Sequence, residues 1–175
     1  LVQENCEVWH SSEKIYSTEG FDLVISFGYK HIIPESVLKK ADIPIINLHI
    51  SFLPWNKGAY PNFWSHYERT PSGVSIHLID NGIDTGPILF QRLVEFSPDE
   101  KTFSQTYSKL IKEIEILFID NIHSILEKKY IEYPQTDAGT YHSVKDLPKD
   151  FSGWDSDIIQ ETERLYKSRF YFNND

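Results

Sequence analysis

Three polar residues stand at or beyond the end of predicted strands with a spacing that could support acyl transfer to an amine. Asn47 and His49 alternate at the end of the apolar run 44–48, so their side chains point to the same side of that strand. An amide N–H can donate to a carbonyl oxygen as negative charge develops, and an imidazole can take a proton from an attacking amine. Asp84, in the glycine-bracketed loop 81–86, can orient the imidazole and relay a proton. This chemistry requires neither a covalent nucleophile nor a metal.

Apolar runs and helical periodicity predict the elements that must position these residues. Strands are predicted over 22–27, 44–48, 74–79 and 88–96, and helices after Pro34 and over 62–68, 103–128 and 154–170. Apolar strands that alternate with helices are typical of an α/β fold whose parallel sheet is covered on both faces. Because ligands bind at the carboxyl ends of such strands, we expect Asn47 and His49 to face a crevice. The apolar stripe of the long helix, which includes Tyr107, is predicted to be core, and Thr102 with Gln105 is expected to form a capping box at its start.

The composition excludes several classes of protein. The chain has 175 residues and a net charge of -9, which argues against a nucleic-acid partner because phosphate binding needs clustered Lys and Arg. Its one cysteine, Cys6, cannot form an internal disulfide and fits a reducing, cytoplasmic location. There is no apolar run of about 18 residues to span a membrane. The first ten residues have neither the basic nor the apolar region of a signal peptide.

The pattern N-L-H-x-S-x-L-P-x-x-x-G at 47–58, followed by the D-T-G loop 35 residues after His49, resembles the folate-dependent formyltransferase family. The resemblance runs over about 22–126. It implies a Rossmann-like, mostly parallel sheet, 10-formyltetrahydrofolate as the formyl donor, and catalytic roles for Asn47, His49 and Asp84. It also implies that the folate is bound by the stretch after the first predicted strand, which comprises Tyr29, Lys30, His31, Ile32 and Ile33.

The loop 54–64, PWNKGAYPNFW, resembles the acceptor-side loop of the family members that formylate nucleotide-linked amino sugars. Its aromatic rings can stack on a sugar or base, and its amides and lysine can bind hydroxyls or a phosphate. The predicted substrate-binding residues are Trp55, Asn56, Lys57, Tyr60, Asn62 and Trp64. The leading hypothesis is therefore an N-formyltransferase that acts on the amine of a nucleotide-linked amino sugar. Relatives suggest a dimer.

Other functions remain open at this point. Glycinamide ribonucleotide or another amine could be the acceptor, although the aromatic loop favours a sugar nucleotide and the charge disfavours tRNA. A formyltetrahydrofolate hydrolase would need the same three groups, and an inactive binding module would need none of them. Ser51 could be argued as a nucleophile, but a hydroxyl just past a strand end more often bonds local backbone. His77 is expected to be structural.

Two departures from the family pattern affect these expectations. The proline that follows the catalytic histidine in the family is Ile50 here. The family also ordinarily opens with a strand, a glycine-bearing loop and a helix, which are missing from this sequence. Because the chain does not begin with Met and contains none, we expect that residues before Leu1 have been lost. The predicted organisation is a catalytic domain over 1–130 and a loop-and-helix extension over 131–175.

Overall fold

The computed structural model of the chain describes residues 6–171, and the side chains of residues 6–168. Each predicted strand and helix is present, with ends that differ by a few residues, and a pair of two-residue strands is added. In chain order the elements are β1 (Val24–Ser26), α1 (Glu35–Leu38), β2 (Ile45–His49), β3 (Lys57–Gly58), α2 (Pro61–Tyr67), β4 (Gly73–Leu78), β5 (Ile88–Leu93), α3 (Phe103–Leu126), β6 (Tyr141–His142), a 3-10 helix (Val144–Asp146) and α4 (Ile158–Tyr171). The opening residues 1–5 lie outside the described part.

The main sheet has four strands in the order β1-β2-β4-β5. β1 and β2 are parallel, in keeping with the expected parallel sheet, whereas β2 pairs with β4 and β4 with β5 in antiparallel fashion. The expectation that neighbouring strands of the sheet are parallel is therefore wrong for these two strand pairs. β4 and β5 are joined by the short loop 79–87, and a connection of that length returns the chain antiparallel. The α/β class itself is confirmed.

The core lies between this sheet and α3. Buried side chains of the central strands meet the apolar stripe of the helix, with Ile46, Val74 and Ile76 facing Leu110 and Ile114. Thr102 accepts from the backbone N–H of Gln105 and the Gln105 side chain reaches back, which is the capping box that the sequence predicts. No helix within residues 6–171 is long and apolar enough to cross a membrane.

The segment after α3 packs on the rest of the molecule at two places. β6 pairs in parallel with β3, and α4 packs against α2 in an aromatic cluster that includes Phe63, Tyr67 and Leu165. The rings of Tyr67 and Tyr166 are stacked with their centroids 4.6 Å apart. The extension is thus joined to both the loop after β2 and the helix that follows it.

Candidate active site

Strand pairing brings the first two site residues together. Asn47 near the end of β2 lies directly across from His77 on β4, and its Nδ2 is 3.2 Å from His77 Nε2. The loop after β4 then carries Asp84 back over the strand ends, where Oδ1 accepts from Asn47 Nδ2 at 3.1 Å. The structure thus places Asn47, His77 and Asp84 in one hydrogen-bonded group.

Asp84 is the centre of this group. Its Oδ2 accepts from the backbone N–H of Gly58 at 2.8 Å and lies 3.6 Å from His49 Nε2. Burial works to raise the pKa of the Asp84 carboxyl, but the nearby imidazole of His49 and the hydrogen bond from the Gly58 N–H outweigh it, so the pKa lies well below its usual range. Asp84 is therefore an anion at neutral pH.

His49 is buried, with 8% of the residue exposed. Burial is the main cause that lowers the pKa of its imidazole, opposed by the nearby carboxylate of Asp84. Its Nε2 faces two acceptors, the Asn56 carbonyl oxygen at 3.4 Å and the Asp84 carboxylate. The neutral ring therefore holds its proton on Nε2 and keeps Nδ1 free to take up a second one.

His77 belongs to the site, although the sequence predicted a structural role. Its Nδ1 is 2.8 Å from the Leu78 carbonyl oxygen, which can only accept, so Nδ1 carries the proton. Nε2 of the neutral ring then accepts from the Asn47 amide and lies 3.4 Å from Asp84 Oδ1. The signal that could have found it is the alternation that turns His77 away from its apolar neighbours on β4, toward the side on which Asn47 lies.

A cleft of about 430 Å³ opens beside these residues. Asn47, His49, His77 and Asp84 form one part of its wall. The whole predicted folate-binding stretch lines the same cleft, namely Tyr29, Lys30, His31, Ile32 and Ile33. The predicted catalytic residues and the predicted folate-binding stretch come from different segments of the chain, and the structure brings them together at one cleft.

Within that stretch the side chains are used in different ways. Ile32 is 82% exposed at the cleft, whereas Ile33 is buried against Val37 and Ile45. The hydroxyl of Tyr29 donates to the Glu13 carbonyl and accepts from a backbone N–H, so it holds the preceding chain segment. Ile32 thus leaves an apolar surface open to the cleft, while Ile33 and the Tyr29 hydroxyl serve the fold.

The predicted acceptor-binding side chains are placed differently from the prediction. The Asn56 amide binds Thr70 and Thr140, Lys57 Nζ donates to the Ala138 carbonyl, and Asn62 Nδ2 donates to the Phe103 carbonyl. Trp64 stacks on His142 with centroids 3.8 Å apart. Trp55 is half-buried and Tyr60 packs near Trp154, and neither lines the cleft. Asn56, Lys57, Asn62 and Trp64 therefore make internal contacts and do not line the cleft, and their role in substrate binding stays a prediction.

The same loop borders the cleft through its small residues instead. Gly58, Ala59 and Pro61 line it, and α3 contributes Tyr107 and Ile111 from across the cleft. Tyr107 is 49% exposed, although the helical periodicity placed it in the core stripe. The periodicity of the stripe does not show which of its members border a cleft, so Tyr107 and Ile111 were not predicted as cleft residues.

Gly58 shows why the loop follows this path. Its φ is +86°, and a Cβ atom there would stand 2.3 Å from the His142 carbonyl oxygen. Only glycine therefore allows β3 to approach β6 while presenting its N–H to Asp84. The Ser51 hydroxyl donates to the Trp55 carbonyl in the same loop, which is the local role expected for it. No group of three or more metal-ligating side chains suited to an ion occurs among the described residues.

Comparison with known proteins identifies the family. The model of the family described as formyl transferase matches residues 3–122. A solved structure, the formyltransferase PseJ from Anoxybacillus kamchatkensis in complex with UDP-4,6-dideoxy-4-formamido-L-AltNAc and tetrahydrofolate, is 38% identical with a TM-score of 0.84, and the match covers 90% of this chain and 87% of that one.

Two curated relatives have different acceptors in their names. The dTDP-4-amino-4,6-dideoxyglucose formyltransferase of Mycobacterium bovis is 29% identical over 74% of this chain and 54% of its own. The methionyl-tRNA formyltransferase of Thermotoga sp. (strain RQ2) is 32% identical over 86% of this chain and 49% of its own. The chain thus spans about half the length of these curated relatives. The match of the family model and the shared fold confirm the resemblance drawn from the sequence, and the chain belongs to the formyl transferase family.

Proposed function

We propose that this protein is an N-formyltransferase that moves a formyl group from 10-formyltetrahydrofolate to the amine of a nucleotide-linked amino sugar. The observation that carries the proposal is the convergence of Asn47, His49 and Asp84 on the wall of a cleft. An amide donor, a neutral base and a fixed anion are the groups that acyl transfer to an amine needs.

The cleft suits a folate as the formyl donor. Its volume of about 430 Å³ lies within the range of small-molecule sites. The exposed side chain of Ile32 and the ring of Phe27 offer apolar surface to a flat ring, while the backbone of 28–31 offers polar groups to its edge. The exposed Lys30 suits the carboxylates at the other end of a folate. The donor supplies an electrophilic formyl carbon.

Asn47, His49 and Asp84 then have different roles in the transfer of the formyl group. The amine attacks the formyl carbon, and the Asn47 amide donates to the oxygen that becomes negative, exchanging one of its present hydrogen bonds for this one. His49 takes the amine proton on Nδ1, and the resulting imidazolium is stabilised by Asp84 at 3.6 Å. The bond from the formyl carbon to the departing folate nitrogen breaks, and that nitrogen receives the proton that His49 took from the amine, which returns the imidazole to its neutral form.

The acceptor class is supported by the likeness to PseJ, whose solved complex contains a UDP-linked formamido sugar. In this chain the space for such a molecule lies between the small residues Gly58 and Ala59 and the exposed Tyr107. An aromatic face beside the reaction centre can stack on a sugar or base, and binding of the remote nucleotide helps to orient the amine. The net charge of -9 disfavours tRNA as the acceptor.

The test is a formyl-transfer assay with 10-formyltetrahydrofolate and matched acceptors. The panel contains UDP- and dTDP-linked 4-amino sugars, the same amino sugars without nucleotide, glycinamide ribonucleotide, methionyl-tRNA and water alone. We expect fast transfer to a nucleotide-linked sugar and much slower transfer to the free sugar. Transfer to glycinamide ribonucleotide or tRNA alone would overturn the acceptor, and release of formate without an acceptor would indicate a hydrolase.

A substitution on α3 tests the side from which the acceptor enters. Tyr107→Ala should raise the KM of the acceptor about 5- to 100-fold, because the stacking of one ring contributes roughly 1–3 kcal/mol. The KM of the folate should remain near that of the unaltered protein. Ile119→Ala on the same helix is the control, since that side chain is 67% exposed and lies outside the cleft lining. An unchanged acceptor KM in Tyr107→Ala would show that the acceptor binds at a different wall of the cleft.

We further propose that the protein acts in the cytoplasm on small molecules, as its single cysteine and acidic charge suggest. The dimer suggested by relatives stays a prediction, and light scattering of the purified protein measures it.

A further inference from the structure

The segment after α3 contains a side chain that binds the loop of the proposed catalytic carboxylate. Gln135 Nε2 lies 2.9 Å from the Asp84 carbonyl oxygen and 2.7 Å from the Gly86 carbonyl oxygen. Both N–H groups of its amide therefore donate to backbone carbonyls, those of Asp84 and Gly86, which flank one turn. Gln135 lies outside the residues that the family model matches, which end at 122, and outside the lining of the cleft.

The turn at Asp84 needs an external restraint. Asp84 has a φ of +53°, a left-handed conformation that non-glycine residues rarely adopt. The Asp80 carboxylate accepts from the Gly82 N–H and the Thr85 hydroxyl, so it restrains the loop on both sides of Asp84. The main-chain carbonyls of Asp84 itself and of Gly86 are bound by Gln135. Strained backbone of this kind persists where surrounding groups hold it.

The orientation of the Gln135 amide is determined by these contacts. Turning the amide over would direct its oxygen at two carbonyl oxygens, which can only accept. In the observed orientation Oε1 is buried without a hydrogen-bond partner in the described part of the chain. A buried polar atom without a partner is unfavourable, so an apolar side chain would suit this position better if packing were its only role.

The neighbours of Gln135 restrain the other side of the same carboxylate. We call residues 133–142 the strap. Tyr133 exchanges two backbone hydrogen bonds with Ile88, just beyond the Asp84 loop. At the other end of the strap, β6 pairs with β3 and so fixes Gly58, whose N–H donates to Asp84 Oδ2. The strap therefore holds Asp84 both through its main chain and through its carboxylate.

We infer that Gln135 is a positioning residue, which keeps the Asp84 carboxylate beside His49 by bridging the carbonyls of Asp84 and Gly86. This inference rests on the proposed function only where it concerns rate. The geometry itself predicts that loss of the bridge lets Asp84 move away from His49, whether or not the acceptor has been identified.

The test compares Gln135→Met, which removes both donors at similar length, with Gln105→Met. The Gln105 side chain likewise makes two hydrogen bonds to the backbone, but as an acceptor from the N–H groups of Lys101 and Thr102, at the start of α3 and away from the carboxylate. Formyl transfer should show a kcat about 10- to 100-fold lower in Gln135→Met, because misplacement by about 1 Å has effects of that size. The KM values should stay within about twofold, since Gln135 does not line the cleft.

A second readout does not depend on activity. The His49 imidazole faces Asp84, which raises its pKa, and His77, which lowers it. Histidine resonances followed by NMR titration should show a lower His49 pKa in Gln135→Met than in the unaltered protein, because an opposite charge acts strongly only within about 4–6 Å. Gln105→Met should leave the titration of His49 unchanged.

Gln135→Glu gives a second variant of the same shape, in which acceptor oxygens replace the donors. An unchanged His49 titration in folded Gln135→Met or Gln135→Glu would overturn the inference, as would an equal change in Gln105→Met. Unfolding of both Gln135 variants would show a structural role and also count against it. If the unaltered protein formylates no acceptor while the His49 titration shifts as expected, the proposed function fails and the positioning role stands.

Discussion

The residues at the strand ends work as a group because each restrains the next. His77 is held by the Leu78 carbonyl and presents an acceptor to Asn47, and Asn47 in turn donates to Asp84. Asp84 also accepts from Gly58 and stands beside the ring of His49. In such a network a substitution that keeps the size of the side chain changes the chemistry more than the stability, because the new side chain retains part of the hydrogen bonds.

Substitution of the proposed base or anion should therefore separate rate from stability. His49→Gln and Asp84→Asn keep the size of each side chain and should lower kcat on the order of 10²–10³-fold. Their free energy of unfolding should fall by only about 1 kcal/mol. Asp120→Asn, at an exposed ion pair on α3, is the matched control and should keep full activity. Full activity in Asp84→Asn would exclude the carboxylate from the reaction.

His66, which is not among the residues of the site, should affect the pH dependence of stability rather than activity. Burial between Phe96 and Phe103 lowers the pKa of His66 to about 4. Below the ordinary value of 6.5 the unfolded chain takes up a proton at His66 that the folded protein does not, until the pH reaches about 4. This difference should reduce the free energy of unfolding by about 3 kcal/mol across that interval.

Urea unfolding at pH 7 and pH 4.5 measures this effect. His66→Phe, whose ring suits the aromatic surroundings, should lose less stability than the unaltered protein when the pH falls. His10→Asn, at an exposed position, should lose as much as the unaltered protein. Equal losses in His66→Phe and His10→Asn would show that His66 is protonated in the folded state as readily as in the unfolded chain.

At the scale of elements, the sequence was informative where a pattern is local. The periodicity of α3 and its Thr102–Gln105 cap predicted that helix to within two residues of its end, because both signals lie within the helix itself. The positions of Asn47 and His49 followed from alternation on β2. The three-way group with Asp84 could be expected from the family pattern, but its partner His77 required the register between β2 and β4.

The sequence did not predict features that depend on pairing between distant segments or on an unusual backbone conformation. β3 and β6 have two residues each and lie 84 positions apart, too short for any periodicity to show. Asn56 and Tyr60 have φ values of +54° and +57°, so the loop 54–64 does not follow an extended path. The side chains at 56, 57, 62 and 64 are consequently used inside the protein, and composition alone cannot predict this.

The loop between β4 and β5 should tolerate no side chain at Gly86. A Cβ atom there would stand 1.8 Å from the Leu78 carbonyl oxygen, a backbone atom that cannot move without distorting β4. Gly86→Ala should lower the free energy of unfolding by about 3 kcal/mol and displace Asp84, so activity should be lost as well. Gly20→Ala is the control, because a Cβ at Gly20 meets no atom within 4 Å.

Gly20 has a φ of +84°, so its substitution measures backbone strain alone, about 1–2 kcal/mol. Chemical denaturation of both variants, together with the transfer assay, distinguishes the two effects. Equal stability losses would show that the loop can adjust around a methyl group at position 86.

At the scale of the whole molecule, the extension over 131–175 is connected to the predicted catalytic domain through both the strap and α4. Leu165 is 3% exposed within the aromatic cluster that also contains Phe63 and Tyr67 of α2, and the Tyr166 hydroxyl donates to the Tyr67 carbonyl. α2 in turn follows directly on the loop that carries Gly58. The division at 130 stays a prediction about sequence organisation, and the packing favours cooperative unfolding of the two parts.

Truncation of one buried side chain on α4 tests that cooperativity. Leu165→Ala should cost about 2–5 kcal/mol, because it leaves a cavity against α2, and should lower the Tm by about 5–15 °C in a chain of this length. Ile159→Ala on the same helix is the control, since Ile159 is 69% exposed and its loss should change stability by less than about 0.5 kcal/mol.

Two spectroscopic signals test whether the two parts unfold together. Far-UV circular dichroism reports the whole fold, while tryptophan fluorescence reports mainly on the aromatic cluster around Trp64 and Trp154. In Leu165→Ala both signals should shift together in one transition, because the extension and the sheet share that cluster through α2. Separate transitions, with the circular dichroism midpoint unchanged, would show that the extension folds independently of the catalytic part.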